Sequence, residues 1–465
     1  MITFGGMSLI FAALAWFFKK AESGSRIFFV FALLHLLSSI MLMVNSLFPS
    51  SCCAAWLPLM PHTNPLCSYV LLIESVVVMA VAWYNTDFFM RHEEIPYRHK
   101  SPIYHASIIG FIGAMDLAIL SDNLGMVWVF IELSTLLSAL LIAHHNSAHS
   151  LEATWKYVFI CSVGIAFAFA GIVFLLIATD GNLDLTTMQL DRNKLFAVKI
   201  ALPFLIIGFG TKAGLAPVHN WLPDAHSEAP TPVSALLSAS LLNSALLPIV
   251  RILQLTGGTG LENFASAILL TMGFLSLIVA AIFIPHAYNY KRMLAYSSVE
   301  NMGILAIALG LNCQSGFLIH MAGHSFIKCA LFLIAGNILS MYGSKLIKEV
   351  SGMVRIHKGL AYLYLVGILA IMGFVPFMLF VSEFVIIAAL FNSNKFLCVL
   401  FIILLTFVMY GLGRNMLKMV RGKSSLYKSD YRFKTAAIAP IVILLLIAAA
   451  SFGAMMYRGV FENIL

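Results

Sequence analysis

Residues 208–238 read GFGTKAGLAPVHNWLPDAHSEAPTPVSALLS, in which a lysine and a cluster of prolines follow an apolar segment. Lys212 lies within the apolar run 204–216, and the prolines behind it would interrupt a straight helix. A charge at membrane depth costs at least ~2.5 kcal/mol on insertion scales, so an ionisable residue there is interpreted first as functional. Because Glu132, Lys328 and Glu383 are embedded in other apolar stretches, the sequence suggests an ion or proton path.

The composition is that of a polytopic membrane protein. Of the 465 residues, 61% are hydrophobic and 10% are charged, and the mean hydropathy is +0.95. A water-soluble globular protein does not have such a composition. The net charge of +8 does not indicate nucleic-acid binding, because basic residues of membrane proteins gather in loops on one side of the bilayer.

Fourteen apolar segments are predicted to be transmembrane helices. A span must cross about 30 Å of hydrocarbon and must satisfy its backbone hydrogen bonds internally, so segments of this length are predicted to be helical. The predicted spans are 4–18, 27–48, 68–88, 104–121, 124–144, 154–178, 197–216, 232–254, 263–285, 293–311, 315–341, 359–390, 394–418 and 436–457.

The distribution of basic residues predicts the orientation. Of the 28 lysines and arginines, twenty are assigned to the side of the loops after odd-numbered spans, six to the opposite side, and the remaining two are Lys212 and Lys328, which are expected to be buried. Since basic loops stay in the cytoplasm, both termini are expected on the non-cytoplasmic side of a bacterial inner membrane.

Two predicted spans carry residues that a straight helix avoids. The seventh runs into Gly214 and four prolines, and the twelfth carries Gly373 and Pro376 shortly before Glu383. Corresponding breaks in two halves are typical of inverted repeats around an ion site. The predicted organisation is 1–103 (helices 1–3), 104–254 (first five-helix repeat), 263–418 (second five-helix repeat) and 419–465 (loop and helix 14).

Two groups of residues are candidates for carrying protons. Lys212 and Glu132 could form a movable pair that loads and releases a proton, or a static structural ion pair. His320, His324 and Lys328 stand at i, i+4 and i+8, which places them on one helix face. A relay fits histidine chemistry, and a metal site is disfavoured because no carboxylate or thiol is placed to complete it.

Other polar residues near the breaks are assigned to proton access or coupling. Asp224 could instead cap a helix, and His219 and His226 could have only structural hydrogen bonds. Glu74 and Asp116 are left without a role. The access and coupling candidates are His219, Asp224, His226, Glu228, Asn243 and Glu300, and Glu383 follows the second break.

The cysteines predict no cluster or metal site. Cys161, Cys329 and Cys398 fall inside apolar helices, where packed thiols are expected. A disulfide among Cys52, Cys53 and Cys67 requires that their loop face an oxidising compartment. No haem pair, iron–sulfur set or dinucleotide loop is found, so no cofactor is expected in this chain.

Three motifs resemble one known family in order and spacing: HNWLPDAHSEAPTPVSALL at 219–237, KRMLAYSSVENMG at 291–303 and HMAGHSFIKCALFLIAGN at 320–337. The family is that of the antiporter-like proton-translocating membrane subunits of respiratory complex I, Mrp antiporters and membrane-bound hydrogenases. The likeness extends over roughly 71–420, and YSSVENMG with WKYVF at 155–159 is most similar to F-type subunits of hydrogenase-4.

The resemblance implies roles for individual residues. Glu132 and Lys212 would be the coupled pair, the three residues on one helix face would be the central relay, and Glu383 would be the terminal acid or base. Asn243 departs from the pattern, because many relatives have lysine there. The chain also ends soon after the fourteenth span, without the long lateral helix of the largest complex I relative, which implies a likeness to shorter members.

Three functions remain open at this stage. The first is a subunit that moves protons or sodium while membrane and peripheral partner subunits perform redox chemistry, and no redox site is found in the chain itself. The second is a cation/proton antiporter component or the membrane subunit of an inorganic-carbon transporter. The third is an anchoring subunit, in which neutralising the buried charges would improve stability without loss of activity.

Overall fold

The computed structural model describes residues 2–18, 20–47, 64–91, 95–422 and 435–455. Within these ranges regular structure is helical, and extended pairing is limited to two isolated bridges, Asn123 with Asp184 and Asn289 with Leu346. A helix satisfies its backbone hydrogen bonds internally, as the hydrocarbon requires. The prediction of an all-α polytopic membrane protein is confirmed.

The α-helices are numbered in chain order. They are α1 Ile2–Phe17, α2 Ala21–Leu47, α3 Pro65–Arg91, α4 Ile95–Leu120, α5 Leu124–Ile142, α6 Ala148–Ala178, α7 Leu195–Lys212, α8 Trp221–Glu228, α9 Thr231–Leu236, α10 Leu242–Leu255, α11 Glu262–Phe283, α12 Tyr290–Gly310, α13 Gln314–Tyr342, α14 Met353–Ile356, α15 Lys358–Ile371, α16 Met378–Ser393, α17 Lys395–Val420 and α18 Thr435–Met455. A π-helical turn, Leu237–Leu241, links α9 to α10.

The predicted spans have counterparts in the described part of the chain. Eleven helical stretches there are long and apolar enough to cross a membrane, and one of them runs through α9 and α10 as Thr231–Leu255. Shorter apolar helices account for the first and last predicted spans and for the two parts of the twelfth. The structure therefore agrees with about fourteen crossings.

Local sequence sets where several helices begin and end. The Asn123 side chain accepts a hydrogen bond from the Gly125 amide at the start of α5, and Asn289 does the same for Lys291 at the start of α12. At the other end, Gly343 adopts a left-handed conformation and closes α13. Polar caps satisfy amides that lack an intrahelical partner, and glycine adopts positive φ at little cost.

Both predicted helix breaks are present. α7 ends at Lys212, several residues before the predicted end at 216, because Gly214 has φ +75°. α15 ends at Ile371, and Gly373 has φ +67°. Each of these glycines precedes a proline by three residues, so the two breaks share the pattern Gly-x-x-Pro at Gly214 with Pro217 and at Gly373 with Pro376.

The chain forms two compact units. The first contains the described residues up to 213 together with 240–265, and the second contains 214–239 together with the described residues from 266 onward. The predicted repeats follow the order of the spans, whereas this division follows compactness. The break after Lys212 therefore belongs to the second unit, although α7 belongs to the first.

In the first unit, small residues bring α6 and α7 close together. A Cβ on Gly164 would lie 2.5 Å from Thr211 Cβ, and a Cβ on Gly171 would lie 2.6 Å from Leu205 Cγ. Small residues at helix contacts allow such close approach in membranes. This contact places the end of α7 beside the middle of α6.

In the second unit, α13 is the central helix. It packs against α9, α12, α15, α16 and α18, and its most apolar stretch is entirely buried. Polar side chains on α13 therefore face protein. This arrangement suits residues that exchange protons at membrane depth.

Candidate functional site

In the first unit, Lys212 is fully buried and is held by hydroxyl groups. Its side chain is 0% exposed, and Nζ donates hydrogen bonds to Thr135 Oγ1 at 2.8 Å and to Tyr157 Oη at 2.5 Å. Nζ also lies 4.6 Å from the centre of the Tyr157 ring, close enough for a cation–π interaction. Helices α5, α6 and α7 each contribute one side chain to this contact.

The hydroxyl contacts continue beyond Lys212. Tyr157 Oη lies 2.6 Å from Ser138 Oγ, and all three hydroxyl residues of the site are buried. A hydroxyl group both donates and accepts a hydrogen bond. The contact from Lys212 through Tyr157 to Ser138 can therefore pass a proton by exchange of hydrogen bonds.

Glu132 belongs to the same site but does not contact the lysine directly. Its Oε1 accepts a hydrogen bond from Ser162 Oγ at 2.8 Å, and Oε2 has no hydrogen-bond partner among the described residues. The charges of Glu132 and Lys212 interact, yet no ion pair within 4.0 Å joins them in the described part of the chain. The first unit thus contains a separated acid and base rather than a static ion pair.

In the second unit, the three residues predicted on one face of α13 are all fully buried. Lys328 Nζ donates to the Leu294 carbonyl at 2.6 Å and to Ser297 Oγ at 2.5 Å. His320 Nδ1 lies 2.9 Å from Ser382 Oγ on α16, whereas neither ring nitrogen of His324 has a partner among the described residues. No group of three or more His, Cys, Asp or Glu in that part of the chain could hold a metal ion.

Two glutamates lie at one end of the Lys328 environment. Glu300 on α12 is 4% exposed, and its charge interacts with those of Lys328 and Glu383. A Cβ placed on Gly373 would overlap the Glu383 carboxylate, which shows that the carboxylate lies directly against this glycine. The second break therefore brings backbone directly beside a buried acid.

His226 and a buried lysine lie at the other end. His226 stacks on Phe332 with ring centroids 5.0 Å apart, and its charge interacts with those of Lys328 and Lys291. Lys291 is 1% exposed and donates to the Ala229 carbonyl at 3.3 Å. The interacting groups thus continue from Glu383 to Lys291 within one unit.

Two ion pairs lie beyond Lys291, and both are partly exposed. Lys345 Nζ lies 3.1 Å from Glu228 Oε2, and Arg292 lies 2.7 Å from Asp224. Asp224 lies inside α8, whose N-cap is Asn220, so its contact is an ion pair rather than a cap. The charges of Lys345 and Glu228 interact with that of the buried Lys291.

Two candidates remain. His219 is buried, and its ring centroid is 6.4 Å from that of Tyr296. Asn243 is 1% exposed at the start of α10, in the first unit.

Sequence reasoning missed several residues of the two sites, among them Thr135, Ser138, Tyr157 and Lys291. Thr135 and Ser138 follow Glu132 at helical spacing, and hydroxyls at i+3 and i+6 from a buried acid were an available signal. Tyr157 was noted only for its family likeness. Lys291 was counted as a loop residue, which was wrong because α12 begins at Tyr290 and buries it.

The structure also tests the expectations for Arg251 and for the cysteines. Arg251 was counted among the six basic residues of the opposite side, but it is buried and donates to the Ser121 carbonyl at 2.5 Å and to Asp122 at 2.7 Å. Cys67 is a free buried thiol, and Cys52 and Cys53 lie outside the described residues. The thiols expected to be packed, Cys161, Cys329 and Cys398, are buried and free.

Comparison with known proteins gives consistent results. A family model described as NADH:quinone oxidoreductase/Mrp antiporter, TM matches residues 121–409. The chain is 36% identical to the Hydrogenase-4 component F homolog of Methylacidiphilum infernorum, over 73% of this chain and 75% of that protein. It is 28% identical to Hydrogenase-4 component B of Escherichia coli over 71% of this chain, and it spans about half of that relative, 51%.

The fold has a close counterpart among solved structures. It resembles a chain in the structure of the Mrp complex from Dietzia sp. with a TM-score of 0.83, over 98% of this chain and 95% of that chain. The sequence identity is 15%, so this likeness concerns the fold alone.

Proposed function

Because the chain belongs to the NADH:quinone oxidoreductase/Mrp antiporter transmembrane family, we propose that it is the proton-translocating subunit of an oxidoreductase complex. The complex would be complex I-like or group 4 hydrogenase-like, with the redox chemistry in partner subunits. The relatives described as hydrogenase-4 components support this choice. This chain would move protons and would hold no redox centre of its own.

The observation that carries the proposal is the environment of two buried lysines. Lys212 and Lys328 are each 0% exposed, and the described hydrogen bonds of both go to hydroxyl or carbonyl oxygens rather than to carboxylates. An ammonium group buried among neutral acceptors is costly to keep charged. Such a group can release and regain a proton when a nearby charge changes.

In the first unit, the proposed trigger is the charge state of Glu132. A negative Glu132 stabilises the ammonium form of Lys212, whereas a neutral or displaced Glu132 does not. Lys212 then donates its proton to Tyr157 Oη while Tyr157 donates its own hydroxyl proton to Ser138, and Ser138 passes its own hydroxyl proton on to a water molecule. The number of protons is conserved, and the tyrosine ends as a neutral phenol.

In the second unit, the proposed path follows the interacting groups around α13. Lys328 exchanges a proton with its neighbours His324 and Glu300, and Glu383 stores or releases one at the second break. Lys291 and the ion pairs of Glu228 and Asp224 form the approach from water. His320, His219 and Asn243 are proposed as accessory polar groups.

The proposed location is a bacterial inner membrane with both termini on the non-cytoplasmic side. The excess of basic residues after odd-numbered spans supports this orientation. The burial of Lys291 and Arg251 takes one residue from each side of the count, so the asymmetry persists. Labelling of single cysteines in terminal positions from either side of the membrane tests it.

A second candidate function is that of a cation/proton antiporter component. The description of the matching family, which includes Mrp antiporters, favours it. The same buried groups would then exchange protons against sodium without a redox partner.

Purification of the chain with its native partners and reconstitution into vesicles tests the proposal. Redox turnover should acidify one compartment, and a sodium ionophore should not abolish the acidification. Co-purification with antiporter subunits, together with proton movement that depends on an imposed sodium gradient and not on a redox substrate, would favour the second function. Redox turnover in sealed vesicles without any proton movement would contradict the first function.

A further inference from the structure

Three buried titratable side chains lie on three helices that pack against one another in the first unit. They lie on different helices: His35 on α2, Glu74 on α3 and Asp116 on α4. His35 Nε2 lies 2.9 and 3.0 Å from the two carboxylate oxygens of Asp116, and both side chains are 0% exposed. The proposed pathway above uses none of the three.

Glu74 is the unusual member of this group. It is 2% exposed, and neither of its carboxylate oxygens has a hydrogen-bond partner among the described residues. Its charge interacts with that of Asp116. Burying a carboxylate without a donor is costly, and two carboxylates in one buried site do not readily ionise together.

Few other charged groups face this cluster from the helices that pack on it. α3 packs against α2, α4 and α10, α1 packs against α2 and α4, and α5 packs against α4. α1 carries no titratable side chain, and α5 carries Glu132 of the Lys212 site. Arg251 on α10 is held by Asp122 and the Ser121 carbonyl, and the Glu22–Arg26 pair on α2 is exposed. The remaining titratable side chains that the structure describes on α2, α3, α4 and α10 are Cys67, Tyr69, Tyr84, Asp87, Tyr104 and His105.

We propose that Glu74, Asp116 and His35 form a second proton-binding site, in which Glu74 carries an exchangeable proton and the Asp116–His35 pair balances the charge. In this proposal the proton resides on a Glu74 oxygen, because that carboxyl group is buried without a hydrogen-bond donor among the described residues. Release of the proton to water leaves a carboxylate beside Asp116, and the contact of His35 with both Asp116 oxygens balances the charge of that pair.

This site differs in kind from the Lys212 site. Lys212 is a base among hydroxyls, whereas Glu74 is an acid beside an acid and an imidazole. Proton binding at the second site therefore requires no change at Lys212. It can be tested whether or not the complex pumps protons.

Infrared difference spectroscopy of the intact complex during a pH change tests the site. The wild type should show a carbonyl stretching band of a protonated carboxylic acid that disappears as the pH is raised. Glu300 and Glu383 would contribute to the same spectral region, so Glu74→Gln should remove one component of this band, and the exposed control Glu22→Gln should keep the full band. A band of unchanged intensity in Glu74→Gln, or the absence of any pH-dependent band in the wild type, would overturn the proposal.

A second variant covers the case in which Glu74→Gln fails to assemble. His35→Gln removes the imidazole that contacts both Asp116 oxygens and keeps both acids. The band should persist, and the pH at which it disappears should move upward because the anionic form has lost its stabilising neighbour. An unchanged midpoint would show that the three side chains do not act together.

Discussion

The two units of this chain bury a lysine in contrasting ways. In the first unit Lys212 has hydroxyl acceptors on two helices, and its acid, Glu132, is separated from it. In the second unit Lys328 belongs to a longer series of interacting groups that extends from Glu383 to Lys291. The first unit thus has one interacting acid and base, whereas the series in the second unit lies close to the partly exposed Glu228.

The contrast shows that one family scaffold surrounds a buried lysine in two ways. Both units avoid a direct lysine–carboxylate contact at the buried lysine among the described residues. A buried ion pair would fix the proton on the lysine, because breaking such a pair leaves an uncompensated charge. Neutral acceptors avoid that penalty in both units.

The largest effect is expected at Lys328. Lys328→Met keeps the side-chain volume but removes the exchangeable proton, so proton translocation by the complex should fall to background while assembly and redox turnover persist. The exposed Lys358→Met serves as the control. If Lys328→Met loses only part of the translocation, measured by acidification of vesicles, the two units work in parallel rather than in one cycle.

A smaller loss is expected at the tyrosine of the first unit. Tyr157→Phe keeps the ring over Lys212 but removes the hydroxyl that contacts both Lys212 and Ser138. Since a hydrogen bond to a charged group contributes about 1.5–3 kcal/mol, translocation should slow by at least about tenfold. The measurement is the initial rate of acidification, with the exposed Tyr362→Phe as control; an unchanged rate would remove Tyr157 from the path.

The second break provides a test of intermediate size. Gly373→Ala forces alanine into a left-handed conformation, which costs roughly 1–2 kcal/mol, and its methyl group would displace the Glu383 carboxylate. Gly181→Ala is the matched control, because Gly181 has φ +86° with open space around it. Both variants should lose thermal stability, but only Gly373→Ala should also slow translocation. Equal translocation in the two would show that the position of Glu383 does not matter.

The smallest effect is expected where the second-unit path meets water. Glu228→Gln removes a partly exposed ion pair with Lys345, and such pairs contribute about 0–1 kcal/mol, so translocation should change by less than about fivefold. The change should shrink at high salt, since salt screens exposed charges. The exposed pair of Glu152 with Lys156 offers the control Glu152→Gln. A complete loss would place Glu228 inside the path rather than at its approach.

The sequence predicted the fold better than the contacts of the sites. Apolar length and the Gly-x-x-Pro breaks are local properties, so the spans and both interruptions could be located directly. The hydroxyls of Thr135 and Tyr157 are small additions to apolar helices, and only packing shows that they converge on Lys212. Lys291 was misplaced for a related reason: the count of basic loops assumes that a lysine at a helix end faces water, and tertiary packing buried this one.

The central claim is that a fully buried lysine among neutral acceptors carries the translocated proton. The most direct test is the number of protons moved per electron by the reconstituted complex with Lys212→Met, compared with Lys199→Met on the exposed face of the same helix. We expect Lys199→Met to keep the wild-type ratio and Lys212→Met to lower it to zero with redox turnover retained. A normal ratio in Lys212→Met would contradict the account.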